Sequence, residues 1–202
     1  MMDLSKLVER INHTPARGRR KLIAIAGAPA SGKSTLAALL VQDLGPCAKL
    51  VPMDGFHLDN DILTARGLLD RKGAPQTFDV AGFLDLVSRL RDEEEILFPL
   101  FDRKLDRAIA DADSVGPDID IVVIEGNYLL LDAPIWTDLH SHWDLSVFLY
   151  VHSDVLRNRL IQRWVDHGLT KADAIARAEG NDLPNAELVL NQSIKADVTL
   201  KN

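Results

Sequence analysis

The chain of 202 residues has a single cysteine, Cys47, so no disulfide can form within it. That excludes the small stapled scaffolds of secreted proteins and fits a reducing compartment, the cytoplasm. Positive charge is in short supply: 23 Lys and Arg stand against 30 Asp and Glu, a net charge of −7. A surface of that sign repels nucleic acid and anionic lipid, so neither is expected as a partner. No apolar run reaches the ~20 residues needed to cross a bilayer. The N-terminus lacks the cationic-then-apolar order of a signal peptide. Repeats and low-complexity tracts are absent. His140 and His142 have no acidic or cysteine partner at ligand spacing, which argues against a metal site there. What remains is an ordinary globular composition, 47% apolar and 26% charged, long enough for one domain over residues 1–202. The one basic cluster, 17–21, reads as a solvated entrance to the first strand.

What the chain does have is Gly27-Ala28-Pro29-Ala30-Ser31-Gly32-Lys33-Ser34, followed by Thr35. Glycine, four residues, glycine, lysine and a hydroxyl residue is the P-loop spacing. An apolar run, 22–26, precedes it, and a helical pattern with Leu36, Leu39, Leu40 and Leu44 follows. Glycines let the backbone turn tightly and aim its N–H groups at an anion, where the helix dipole also favours negative charge. Lys33 is expected to reach the β- and γ-phosphates of ATP, and Ser34 to ligate Mg²⁺.

Around this loop, strand-like and helical patterns alternate. Residues 3–12 read as an amphipathic helix and 49–53 as a short strand weakened by Pro52. Asp79 caps a helix striped with Val80, Phe83, Leu84, Val87 and Leu90. Residues 61–77 read as a polar, Gly-containing stretch and 96–116 as irregular. Residues 120–124 form the clearest strand, a β-branched run buried on both faces, and 134–141 a helix. Another buried strand covers 145–151, and Ser153 is placed to cap the helix after it. Thr170 and Asp173 resemble a capping box, Gly180-Asn181 interrupts, and 198–200 forms an edge strand. Alternation of this kind predicts a mostly parallel five-stranded sheet flanked by helices, a three-layer α/β fold. Ligands of such sheets bind beyond the carboxyl ends of the strands. Three apolar strands end there in polar residues: the loop, Asp54 and Glu125.

Phosphoryl transfer needs a phosphate cradle, a metal, a group that positions the nucleophile, and cations that take up charge. Glu125 is the second candidate Mg²⁺ ligand and Asp54 the candidate base for a substrate hydroxyl. Arg159 and Arg163, four apart on one helix face, are the candidate cations. Residues 166–180 are the candidate lid.

Over nearly its whole length the sequence resembles the P-loop kinases that group uridine kinase, phosphoribulokinase and bacterial pantothenate kinase. Met53-Asp54-Gly55-Phe56 is similar to that family's second-strand aspartate motif, and Glu125-Gly126 to its Walker B end. Arg71-Lys72-Gly73-Ala74-Pro75 with Thr77-Phe78-Asp79 resembles a pantothenate kinase segment. The stretch 53–59 and Phe101-Asp102-Arg103 resemble the subgroup of fructose transport system kinases, or nucleoside and nucleotide kinases. The resemblance implies a P-loop NTPase fold, ATP and Mg²⁺ as cofactors, and substrate contacts at Asp54, His57, Asp102, Arg103 and Glu125. It also places Asn191 near the adenine. The implied reaction is γ-phosphoryl transfer to a hydroxyl of a small molecule, a sugar such as fructose, by a monomer or homodimer. Uridine, another nucleoside or pantothenate is the alternative acceptor. A nucleotide-hydrolysing switch is the alternative of another class, but neither the Asn-Lys-x-Asp guanine motif nor the Ser-Gly-Gly transporter signature occurs.

Overall fold

A computed structural model describes residues 4–202. The first half contains α1 (Leu4–His13), β1 (Lys21–Gly27), α2 (Lys33–Leu44), β2 (Ala48–Pro52), α3 (Asn60–Ala65) and α4 (Val80–Leu90). The second contains β3 (Ile96–Asp102), β4 (Arg107–Val115), β5 (Ile121–Gly126), β6 (Leu145–Tyr150), α5 (Ser153–Asp166), α6 (Lys171–Arg177), α7 (Leu183–Gln192) and β7 (Val198–Lys201). The expected start of α1 at residue 3 lies outside the described residues.

Five strands form one sheet in the order β2-β5-β1-β6-β7, and every neighbouring pair is parallel. Side chains alternate between its faces. Leu22, Ala24 and Ala26 of β1 join Val122 and Ile124 of β5 on one face, under Phe83, Val87 and Leu90 of α4. Ile23, Ile25 and Val123 point the other way, onto Leu7 and Ile11 of α1 and Leu36 and Leu40 of α2. Both faces are therefore covered, which is why β1 and β5 read as unbroken apolar runs. Pro52 is tolerated because it closes β2, an edge strand.

Several expectations change. Residues 96–116 are not irregular: β3 and β4 pair as an antiparallel hairpin. Pro99, a register shift between Phe98 and Leu100, and Asp111 at φ 50° break the alternation that would have revealed it. The stretch 61–77 contains α3, too short for a helical period to show, capped by the Asp59 side chain. On α2, Leu39 is 44% exposed and Ala37 takes the buried position. The 134–141 segment is a 3₁₀ helix, Trp136–His142. His152, not Ser153, caps α5 through its side chain. Gly180-Asn181 does not break the chain's helix but widens it into a π turn, Ala178–Asp182, that runs into α7.

Of the basic cluster, Arg17 and Arg19 are exposed as expected, but Arg20 and Lys21 are buried. Arg20 is 0% exposed and donates to the carbonyls of Ile119 (3.0 Å), Leu90 (3.1 Å), Glu94 (2.7 Å), Gly116 (3.0 Å) and Glu93. Lys21 Nζ donates to Ile11 O at 2.6 Å. Arg20 thus ties the end of α4 to the segment that enters β5, at the opposite end of the sheet from the P-loop. Arg20→Met would leave five carbonyls, one buried and four partly buried, without their donor, at up to ~1–3 kcal/mol each. We expect a loss of at least about 3 kcal/mol, a fall in Tm of roughly 6–12 °C for a chain of this size. Thermal melts followed by circular dichroism check this; an unchanged Tm would show that water replaces the guanidinium.

Candidate active site

The loop from Gly27 to Ser34 leaves the carboxyl end of β1 and enters α2. Gly32 has φ 94° and Ala30 φ 61°, a left-handed turn that points successive N–H groups inward. A Cβ at Gly27 would lie 2.9 Å from both Leu149 O and Ser31 Oγ, so the first glycine is fixed by close packing. The parallel register brings Glu125 beside Ile25 on one side and Pro52 on the other. Its carboxylate is nearly buried, 3.9 Å from Lys33 Nζ, and its Oε2 has no hydrogen-bond partner. Burial pushes the Glu125 carboxyl above the usual carboxylate range; Lys33 and Ser34 only partly counter this. A buried, unpartnered carboxylate oxygen beside a lysine and a hydroxyl is a set of groups that fits a divalent cation and a phosphate.

β2 ends in a single 3₁₀ turn, Met53–Phe56, that carries Asp54. The turn packs so closely under β3 that a Cβ at Gly55 would sit 2.1 Å from Pro99 O. From the hairpin tip Arg103 reaches back, Nη2 to Asp54 Oδ2 at 3.2 Å. The Nδ1 of His57 lies 2.8 Å from the Asp54 carbonyl, and its ring sits between those of Phe78 (4.1 Å) and Phe101 (4.7 Å). Desolvation lowers the His57 pKa below that of a free imidazole. Asp102 does not join this group. Its carboxylate accepts from the N–H groups of Lys104 and Leu105 and closes the hairpin turn.

Lys33, Ser34, Asp54, His57, Phe101 and Arg103 line a cavity of about 780 Å³ whose far wall is built by α5 and the segment after it. Arg163 and Arg177 both face it, at 5.7 and 5.3 Å from the Trp164 ring. Trp164 donates its indole N–H to Asp182 at 2.5 Å. The candidate lid is latched to the 70–72 loop. Arg71 donates to Gly180 O, Arg177 to Asp70 O, and the buried Asn181 to Lys72 O, at 2.8–3.1 Å. Arg177 was not legible in the sequence, because it reaches the cavity only through this docking. Arg159 faces elsewhere, donating to the carbonyls of Ala30 and Ser31 at 3.3 Å. With Thr35, Leu39, Leu149 and Asn202 it lines a second cavity of about 450 Å³ on the outer side of the loop. Asn191 is exposed on α7 and lines neither cavity.

Phosphate cradle, strand-end carboxylates and adjoining cavity agree with the sequence relationships. The model of the Phosphoribulokinase / Uridine kinase family matches residues 22–200. The chain belongs to this family. The Escherichia coli K12 protein YggC, itself uncharacterized, is 39% identical over 91% of this chain and 78% of its own length. A Schizosaccharomyces pombe protein named provisionally as a uridine kinase, C227.14, is 34% identical over 98% of this chain and 88% of its own. Among solved structures, a Silicibacter sp. TM1040 protein named provisionally as a fructose transport system kinase superposes with a TM-score of 0.95. That pair is 50% identical over 99% of this chain and 100% of the other. As a member of the phosphoribulokinase/uridine kinase family, the chain has the three-layer P-loop NTPase fold and is a phosphotransferase with an alcohol acceptor. Among the described residues no helix is long and apolar enough to cross a membrane.

Proposed function

We propose that this kinase transfers the γ-phosphoryl group of ATP, bound with Mg²⁺, to a hydroxyl of a small metabolite in the cytoplasm, a sugar such as fructose. The convergence of Lys33, Ser34 and Asp54 on the lining of the 780 Å³ cavity, with Glu125 beside Lys33 at the same edge of the sheet, carries this reading. The loop N–H groups and Lys33 hold the phosphates; Ser34 and Glu125 hold the cation. Bound there, Mg²⁺ would neutralise developing charge on the phosphates. Asp54 orients the attacking hydroxyl and accepts its proton, and Arg163 takes up charge on the migrating group. Arg159 braces the loop from outside and offers its guanidinium plane to the adenine in the apolar outer cavity. That cavity also accounts for the exposure of Leu39.

ATP consumption across D-fructose, other sugars, uridine, D-pantothenate and glycerate tests the proposal. Turnover that needs an added acceptor is expected. Equal hydrolysis with and without one would instead make the chain a nucleotide switch. Arg163→Lys is expected to lower kcat at least tenfold with little change in KM for ATP. A point charge does not replace a planar fork, and the contact tightens in the transition state. An unchanged kcat would leave Arg163 a surface cation.

Glu125→Gln separates stability from function. A carboxyl whose pKa is raised by folding contributes its full stability below about pH 4.3 and loses it as pH rises through the folded value. The ligand-free variant should therefore melt higher than wild type at pH 7, by about 2–4 °C for each kcal/mol relieved. Its Mg²⁺ requirement for turnover should rise. A lower Tm at pH 7 would contradict the electrostatic account.

A further inference from the structure

The peptide between Ser31 and Gly32 stands between the two cavities, since Gly32 lines both. A trans peptide points its C=O and its N–H in opposite directions. Glycine reaches positive and negative φ at similar cost, so at Gly32, φ 94°, the loop by itself leaves this peptide able to stand either way. The sense it takes decides what a phosphate meets. An inward N–H donates to an anion, whereas an inward C=O repels it.

Two side chains on the outer side set that sense. Arg159 Nη1 is shared between Ala30 O and Ser31 O, 3.3 Å from each. Asn202 Nδ2 donates to Ser31 O alone, at the shorter distance of 3.0 Å. A carbonyl only accepts, so the Asn202 amide must present its NH₂ here. The backbone of Asn202 is fixed as well. Its N–H donates to Tyr150 O at 3.0 Å, one step beyond the β6–β7 pair of Tyr150 and Lys201. Arg159 and Asn202 both line the outer cavity. With Ser31 O drawn to that side, the Gly32 N–H faces the inner cavity, where Lys33 and Ser34 also lie. That N–H has no acceptor among the described residues. The N–H before it, of Ser31, is already spent on Ala28 O at 3.1 Å, and the buried Ser31 hydroxyl has no partner with which to hold the peptide.

We propose, on the kinase reading above, that Asn202 is a positioning residue of the nucleotide site: its amide holds the Ser31 carbonyl outward, so that the Gly32 N–H stands ready for a phosphate oxygen. Asn202 acts through one peptide, on the polyphosphate chain and not on the base. The register of the edge strand β7 thereby enters the chemistry of the loop, because it sets where the amide lies.

Asn202→Leu keeps nearly the volume of the side chain and loses the donor. The backbone bond to Tyr150 is untouched, so the melting curve should hold. Calorimetric titration with Mg²⁺-ATP, and with Mg²⁺-tripolyphosphate, which has no base, should show affinity for each falling roughly 2–10-fold, the span of one net hydrogen bond. Adenosine, which has no phosphate, should compete equally well against wild type and variant, or against neither. Asn202→Gln, with its amide on a longer stem, should recover part of the loss. The peptide itself is directly observable, because Ser31-Gly32 is the only Ser-Gly step in the chain. Cell-free labelling with ¹³C-carbonyl serine and ¹⁵N glycine singles out its N–H. That signal should move downfield when tripolyphosphate binds to wild type, and move less in Asn202→Leu. Undiminished affinity for tripolyphosphate in Asn202→Leu, a loss on adenosine as large as that on ATP, or a Gly32 signal that tripolyphosphate does not move would each overturn the proposal. Failure of the kinase reading shows separately, as a wild-type chain that binds Mg²⁺-ATP yet consumes it with no acceptor-dependence.

Discussion

Lys33→Ala is expected to lose on the order of 10³-fold or more in kcat while the fold survives. The side chain lies at the start of α2, on the cavity wall, with Glu125 at 3.9 Å as its only ion-pair partner among the described residues. It packs into neither hydrophobic cluster. Its side chain is 13% exposed, so truncation gives up part of a buried stem, but the larger loss is a full positive charge from beside the β- and γ-phosphates, where developing charge must be met in a partly desolvated site. It also leaves the buried Glu125 carboxylate without its ion-pair partner. Circular dichroism and a coupled kinase assay on Lys33→Ala and Lys33→Met check this. Activity near wild type in either variant, with the fold intact, would remove the loop from the reaction.

Asp54→Asn keeps the shape of the turn and removes the charge. We expect a loss of roughly 10²–10⁴ in kcat, the usual span for a general base. Affinity for ATP should scarcely change, because Asp54 lies on the 3₁₀ turn after β2 and not in the loop that cradles phosphate. Transfer through a loose transition state makes orientation of the hydroxyl more important than early deprotonation, and an amide oxygen orients less well than a carboxylate. Arg103 complicates the reading in a useful way. It pairs with Asp54 at 3.2 Å and is 65% exposed at its side chain, so the bond is open to water and contributes little to stability. Asp54→Asn frees Arg103 without a large change in Tm, and a preserved melting curve separates lost chemistry from lost structure. If Asp54 held Mg²⁺ instead, the variant would regain activity at raised metal concentration. A Mg²⁺ titration with kcat and nucleotide Kd on this one variant distinguishes base from ligand. Near-normal turnover with the true acceptor would exclude both.

Legibility followed the range of the interactions. The P-loop was plain because eight consecutive residues carry it, and β1 and β5 because burial on both faces leaves an unbroken apolar run. Asp54 and Glu125 were found by position alone: each follows a strand, and parallel strands put such residues on one edge. The hairpin β3–β4 escaped because Pro99 and a register shift disrupt its period. Arg20 was misread because a run of basic residues is ordinarily solvated, and nothing local announces the five carbonyls that converge on it.

The sequence by itself determined the α/β class, the phosphate-binding loop, the strand ends that bear Asp54 and Glu125, and the kinase family. All of these rest on contiguous residues or on strand polarity, which a linear pattern records. Only the tertiary structure decided which cations face the cavity. Arg159 and Arg163 share a helix face, yet one braces the outside of the loop and the other looks into the cavity. The same holds for Arg177, brought in by hydrogen bonds between segments about a hundred residues apart in sequence, and for Asp102, turned into its own hairpin. The placement of the His57 ring was decided in the same way, by a carbonyl three residues back and two rings from separate elements. A side chain's direction and protonation depend on what packs around it in space, and that is set by contacts the sequence does not order.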